Sequence, residues 1–168
     1  IGLGPAFVTV ENYEHLQLVL TEVLGFKLID AEGSFHLFEV GEGGNGASII
    51  VEHREDLPSA QEGYGNVHHL ALRVADEEAL RFWIEKINRL EFPNSGFVER
   101  FYFKSEYFLA ATHVLFELAT DGPGFLEDET YEHAGEKLSL PPFLEPKRAG
   151  IEEFVRPFDT SDANVQRN

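Results

Sequence analysis

Cysteine is absent from the 168 residues, so no disulfide braces the fold and no thiolate can hold a metal. Any metal must be taken by histidine and carboxylate, a ligand set suited to zinc, manganese or non-haem iron. Basic residues are few: 13 Lys and Arg stand against 30 Asp and Glu, for a formal net charge of −17. A chain this acidic lacks the cations that displace counterions from a phosphate backbone, which argues against nucleic acid and, equally, against anionic membrane surfaces as partners. No apolar run approaches the roughly 18–20 residues that span a bilayer, and no secretory signal pattern opens the chain, so a cytoplasmic setting is expected.

What is present can build a core. Hydrophobic residues make up 43% of the chain and fifteen are Phe, so the acidity does not mark a disordered tail. The length suits one substantial core or two small modules sharing a sheet.

Along the chain a strand, a helix and three strands follow one another, and then the order repeats. Ala6 to Val10 reads as a strand. Leu16, Val19, Leu20, Val23 and Leu24 follow at helical spacing, with Gly25 where a C-cap belongs. Phe26 to Asp30, Phe35 to Val40 and Ala47 to His53 are β-rich runs divided by glycine turns. After a polar connector, Val67 to Val74 is a strand, and Asp76 is placed to cap a helix buried through Leu80, Trp83, Ile84 and Ile87. Phe97 to Phe103, Glu106 to Ala110 and His113 to Thr120 complete the second set.

The two sets superpose with a constant offset: Leu16, Val19, Leu20 and Val23 map onto Leu80, Trp83, Ile84 and Ile87, since 80 − 16 = 64. The expected fold is therefore α+β, with paired βαβββ modules forming a curved, barrel-like mixed sheet and helices on its outer face. The first module spans 1–54, a connector 55–65 and the second module 66–125; an extension with helical and Pro-containing stretches covers 126–155, and a polar tail 156–168.

Strand periodicity puts His69, Ala71 and Arg73 on one face and Leu70, Leu72 and Val74 on the helix side. On the last strand His113, Leu115, Glu117 and Ala119 share a face. Glu117 is an acid in an otherwise apolar strand, and a buried carboxylate must be ion-paired or bind a metal. Arg73 or Arg100 could be the ion-pair partner; His69 beside Glu117 in the duplicated frame favours the metal. His68 falls on the opposite strand face from His69 and needs a local twist or bulge to reach the same side. Tyr107 reads either as a core aromatic or as a functional phenol. His113 reads as a turn residue; His15, His36 and His133 read as solvated or structural, and Glu127 to Glu132 as a solvated acidic face.

The stretch His68-His69-Leu-Ala-Leu-Arg-Val, the run Arg100 to Tyr107, Leu-Phe-Glu117-Leu-Ala-Thr-Asp-Gly-Pro-Gly-Phe125 and the segment Gly135 to Arg148 together resemble the C-terminal half of ring-cleaving dioxygenases. The resemblance is to the hydroquinone-type extradiol group of the glyoxalase, bleomycin-resistance and dioxygenase (vicinal oxygen chelate) superfamily. It implies an oxidoreductase that uses Fe(II) or Mn(II) and O2 to open a hydroquinone-like or catechol-like ring, as in the degradation of aromatic compounds. It further implies that His69 and Glu117 are two ligands of a two-His, one-carboxylate triad, with His68, Tyr107 and Arg100 as catalytic groups around the substrate.

By the same resemblance the third ligand is a His on the first strand of an N-terminal half that is not in this sequence. The internal position equivalent to His69 is 69 − 64 = 5, and it holds Pro5, which has no side-chain donor. Glu52 lies near the offset of Glu117, since 117 − 52 = 65, and is the internal candidate for a substitute ligand. The expected partners are thus a small aromatic substrate, O2, and either the missing N-terminal half or a second copy of the chain. The alternative reading is a non-catalytic or glyoxalase-like metal- or ligand-binding module acting as a homodimer.

Overall fold

The computed structural model describes residues 3–61 and 63–156. The first module runs β1 (Ala6–Val10), α1 (Tyr13–Leu18), β2 (Lys27–Glu32), β3 (Phe35–Glu39) and β4 (Ser48–His53). The second runs β5 (Leu70–Arg73), α2 (Glu77–Arg89), β6 (Val98–Glu99), β7 (Lys104–Ala111) and β8 (Val114–Ala119). Each module makes a four-stranded mixed sheet, in the order β1-β4-β3-β2 and β5-β8-β7-β6. In both, the first and last strands pair in parallel and the remaining pairs are antiparallel. The repeat expected from the 64-residue offset is therefore a repeat of topology. In the extension a short 3-10 turn, Glu145–Lys147, leads into α3 (Arg148–Phe154).

Capping chemistry sets the helix starts. The Asn12 side chain accepts from His15 N at 3.0 Å, and the Asp76 side chain accepts from Ala79 N at 2.8 Å. The first helix widens into a π-helical turn at Val19–Val23, keeping Val19, Leu20 and Val23 buried, and Gly25 ends it at φ +78°. Leu16, Val19 and Leu20 of the first module and Leu80, Ile87, Phe108 and Phe116 of the second belong to one continuous core. α1 packs on β4 and also reaches β7, while Lys86 Nζ on α2 donates to Val23 O at 2.6 Å. The covered faces of the two sheets thus share one interior, and each sheet's other face turns away from it.

Several strand bounds differ from those expected, and the differences in β5, β6 and β7 bear on the site. β5 begins at Leu70 rather than Val67, which leaves His68 and His69 just ahead of the strand. β6 contracts to two residues because the chain turns after it: Phe101 adopts φ +71° and Arg100 N donates to Phe103 O at 2.9 Å. β7 starts at Lys104, two residues earlier than the sequence run. From residue 157 onward the polar tail lies outside the described residues.

Ladder register corrects the internal alignment at the acid. Phe7 pairs with Ile50 in the first sheet, and Ala71, at 7 + 64, pairs with Glu117 in the second. The counterpart of Glu117 is therefore Ile50, not Glu52; Glu52 pairs with Thr9 and corresponds to Ala119. By the same ladders Leu37, opposite Ile50, corresponds to Tyr107, opposite Glu117. The first sheet keeps the frame of the second with its polar groups replaced by apolar ones, and Phe7 on its open face is 63% exposed.

Candidate metal centre

Glu117 sits on β8 between two laddered neighbours, Ala71 on β5 and Tyr107 on β7. Its side chain is almost wholly buried, at 3% relative exposure. Oε2 lies 2.9 Å from His69 Nε2, and Oε1 is buried without a hydrogen-bond partner. An ionised carboxylate in such a place is costly unless a cation satisfies it. The arginines that could have played that part are engaged elsewhere: Arg73 Nε contacts Asp121 Oδ1 at 2.9 Å, and the Arg100 guanidinium lies over the Tyr107 ring, 5.4 Å from its centroid.

The strand's late start resolves the problem of His68. Free of the β5 alternation, its Nδ1 comes to 2.9 Å from His69 Nδ1, with the rings edge to face at 5.2 Å. One of these two nitrogens must carry the proton and the other accept it. When His69 Nε2 donates to Glu117, its Nδ1 is the acceptor. When Nε2 is instead needed as a bare ligand, the proton must sit on Nδ1 and be donated to His68. His68 therefore has the geometry to support either tautomer.

Tyr107 completes the cluster, its ring meeting the His69 ring edge to face at 5.3 Å. Burial pushes its phenol above the usual tyrosine range and the Glu117 carboxylate adds to this, while the Ser105 hydroxyl and Arg100 oppose it. One small area of the open face thus gathers His68, His69, Tyr107, Glu117 and Arg100, all five singled out in the sequence.

Glu52 is not brought there within the chain. It accepts from the Thr9 hydroxyl at 2.9 Å and pairs with Arg54 at 3.3 Å, both in or beside the first sheet. Among the described residues no group of three or more histidine and carboxylate side chains is arranged to hold a metal. The donor set fits a metal in part: an imidazole, and a carboxylate whose second oxygen has no other claimant. For a metal to be held here, a third ligand would have to come from outside these residues.

Three other histidines lie away from this cluster. His36 stacks on Tyr13 at 3.9 Å, His133 lies 3.2 Å from Glu136, and His113 occupies the β7–β8 turn at φ +60°. A cavity of about 750 Å³ opens where the β1–α1 turn, the connector and the β7–β8 turn meet, lined in part by His15, Arg54, Phe92 and His113. Neither His69 nor Glu117 lines it.

Two buried groups of β7 were not foreseen. Ser105 Oγ and both carboxyl oxygens of Glu106 are buried without hydrogen-bond partners. Strand alternation, with Phe108 and Ala110 on the helix side, already implied that Glu106 points into the core.

No family model matches the chain. Its architecture is that of the glyoxalase and dioxygenase fold: a glyoxylase/bleomycin resistance protein/dioxygenase domain from Frankia sp. EAN1pec superposes with a TM-score of 0.63 over 71% of this chain and 97% of that one. At 17% identity that likeness is one of fold. A Bacillus subtilis protein provisionally described as a dioxygenase superposes with a TM-score of 0.82 at 34% identity, over 93% of this chain and 50% of that one. In sequence the chain is 46% identical, over 161 residues, to a Bacillus subtilis (strain 168) protein that carries the provisional name ring-cleaving dioxygenase MhqA. It is 35% identical to the similarly named MhqO of the same strain; the matches cover 93% and 96% of this chain. The chain is thus similar to one half of these proteins and shares the fold of glyoxalase and dioxygenase domains. It spans about half the length of the curated relatives it matches, 51% in each of these two cases.

Proposed function

We propose that this chain is the ligand-bearing half of a metal-dependent, extradiol-type ring-cleaving dioxygenase acting on a hydroquinone-like or catechol-like aromatic. The observation that carries the reading is the 2.9 Å approach of His69 Nε2 to Glu117 Oε2, with Glu117 Oε1 buried and unclaimed beside it. Likeness to proteins named for ring cleavage supports the same class of chemistry.

His69 and Glu117 would hold Fe(II) or Mn(II), and a further histidine from the other half, or from another copy of the chain, would complete a facial triad. Such an ion would supply Lewis acidity toward a ring hydroxyl and redox chemistry toward O2. The chain's own groups do the rest. His68 Nδ1 fixes the His69 ring through its neighbouring nitrogen. The Arg100 guanidinium, held over the Tyr107 ring, places positive charge where a substrate oxygen becomes anionic. The Tyr107 hydroxyl, kept protonated by its raised pKa, can give a proton to such an oxygen.

The test is oxygen uptake. The chain is produced together with the half that its relatives possess, loaded with Fe(II) without air, and offered substituted hydroquinones and catechols. Equimolar consumption of O2 and loss of the aromatic absorbance are expected, and Glu117→Ala should abolish both. A protein that fills with iron yet consumes no O2 with any dihydroxybenzene overturns the reading.

A further inference from the structure

We propose that the cavity of about 750 Å³, to which both modules contribute, is a binding site for a small organic cation: an ammonium group on an aryl or alkyl body. The inference does not depend on the dioxygenase reading. The β1–α1 turn, the segment after β4, the turn after α2 and the β7–β8 turn all border this space. Its volume is within the range of pockets that hold small ligands, and a junction between modules is a usual place for one. Leu57, Leu90 and Leu109 line it while 47%, 48% and 39% exposed, so apolar surface is left there for a ligand's body to cover.

Charge decides the kind of ligand. The Arg54 guanidinium donates to Asp56 at 2.7 and 2.8 Å and to Glu52 at 3.3 Å, so two carboxylates already match it. Glu11 and Glu91 also line the cavity, and among the described residues neither forms an ion pair. The lining is left with uncompensated negative charge, and the net charge of −17 draws cations toward the whole chain.

The backbone supports the same conclusion. Among the described residues three that are not glycine have positive φ, and two of them, Glu91 at +59° and His113 at +60°, line this cavity. Glu91 is the left-handed residue of a Schellman motif that closes α2: Glu91 N donates to Asn88 O at 3.0 Å and Phe92 N to Ile87 O at 3.3 Å. His113 is the second of two residues joining β7 to β8 between paired Ala111 and Val114. Glycine is the low-strain choice at the first position, and glycine or asparagine at the second. Both carry ionisable side chains instead, and strain held in this way gathers at ligand sites.

Titrating the full, isotope-labelled chain with phenylbutylamine and with phenylbutanoate compares a cation and an anion on one body. The amine should shift the backbone amides of the turns at Glu91 and His113 and bind roughly tenfold more tightly than the acid. Glu91→Gln and Glu11→Gln should each weaken the amine about fivefold. Glu91→Gly removes the carboxylate and the backbone strain together. It should weaken the amine to the same degree while melting at or above the parent's temperature, so that unfolding is not the cause. Glu42→Gln deletes the same charge at an exposed position that does not line the cavity, and should leave the affinity unchanged. Equal binding of amine and acid overturns the proposal, as does an absence of amide shifts at both turns. An equal loss in Glu42→Gln also overturns it, because bulk charge alone would then account for the binding.

Discussion

Tyr107 and Glu117 stand directly opposite each other on antiparallel β7 and β8, so a phenol and a carboxylate compete for one spot on the open face. The carboxylate is the more buried of the two and is tied to His69. On the proposed function the carboxylate is the ligand, and the phenol the group that moves a proton beside it. Removing only the hydroxyl should separate these parts. Tyr107→Phe keeps the ring against His69 and is expected to cut turnover by about 100-fold, the usual scale for a lost general acid or base, with metal content unchanged. Turnover and metal content are measured on the same preparation, and joint loss of both would make Tyr107 a structural prop.

His68 is expected to act on the metal through His69. Changing His68 to Phe fills similar space but removes the Nδ1 that meets His69 Nδ1 at 2.9 Å. Metal affinity of the complete protein should fall by roughly 10- to 100-fold, as for other partners that orient a ligating imidazole. Competition against a chelating dye reads this directly, and unchanged affinity would leave His68 with a role toward substrate only.

The chain by itself should bind iron or manganese weakly, because the described residues form no cluster of three donors. Calorimetric titration of the isolated chain with Mn(II) is the check. Tight, stoichiometric uptake would mean that the two named ligands suffice with a third from a second copy, and would favour the homodimeric alternative.

Glu106 predicts an unusual pH profile of stability. It is 0% exposed, and burial alone raises its pKa from 4.5 to about 7. Below 4.5 both folded and unfolded chains carry the proton, so nothing is lost. Between 4.5 and 7 the unfolded chain releases it first, and stability falls as pH rises, by about 1.4 kcal/mol per unit. Above 7 the loss, on the order of 3 kcal/mol, is complete. Glu106→Leu should remove this slope and melt higher than the parent at pH 8. Denaturant unfolding at pH 5 and pH 8 measures it, and equal slopes for both proteins would show that the carboxyl finds a partner in solution.

Much of this arrangement was legible in the sequence because it depends on periodicity. β1 was found to the residue, the Asp76 cap and the Gly25 stop were recognised by their chemistry, and the 64-residue repeat gave the order of elements in both modules. Where the reading slipped, the cause was geometry that a one-dimensional offset does not carry. Turn lengths differ between the modules, so by β4 and β8 the offset has grown from 64 to 117 − 50 = 67, and Glu52 was matched to the wrong place. His68 looked misdirected because the strand was drawn three residues too long. Glu106 was taken only as the start of a strand; alternation puts it inside, and hydropathy alone gave no warning that an acid would be left there without a partner.

His69 and Glu117 are unequally anchored. Glu117 is gripped by ladders on either side, whereas His69 precedes the first rung of β5 and hangs from its open end. If the pair holds an ion, it would act as a vice with one fixed jaw and one freer jaw, and fitting an ion of slightly different radius would fall to the imidazole. Tolerance for iron or manganese would then be set by two residues of irregular backbone, and the carboxylate would keep its place whichever ion arrives.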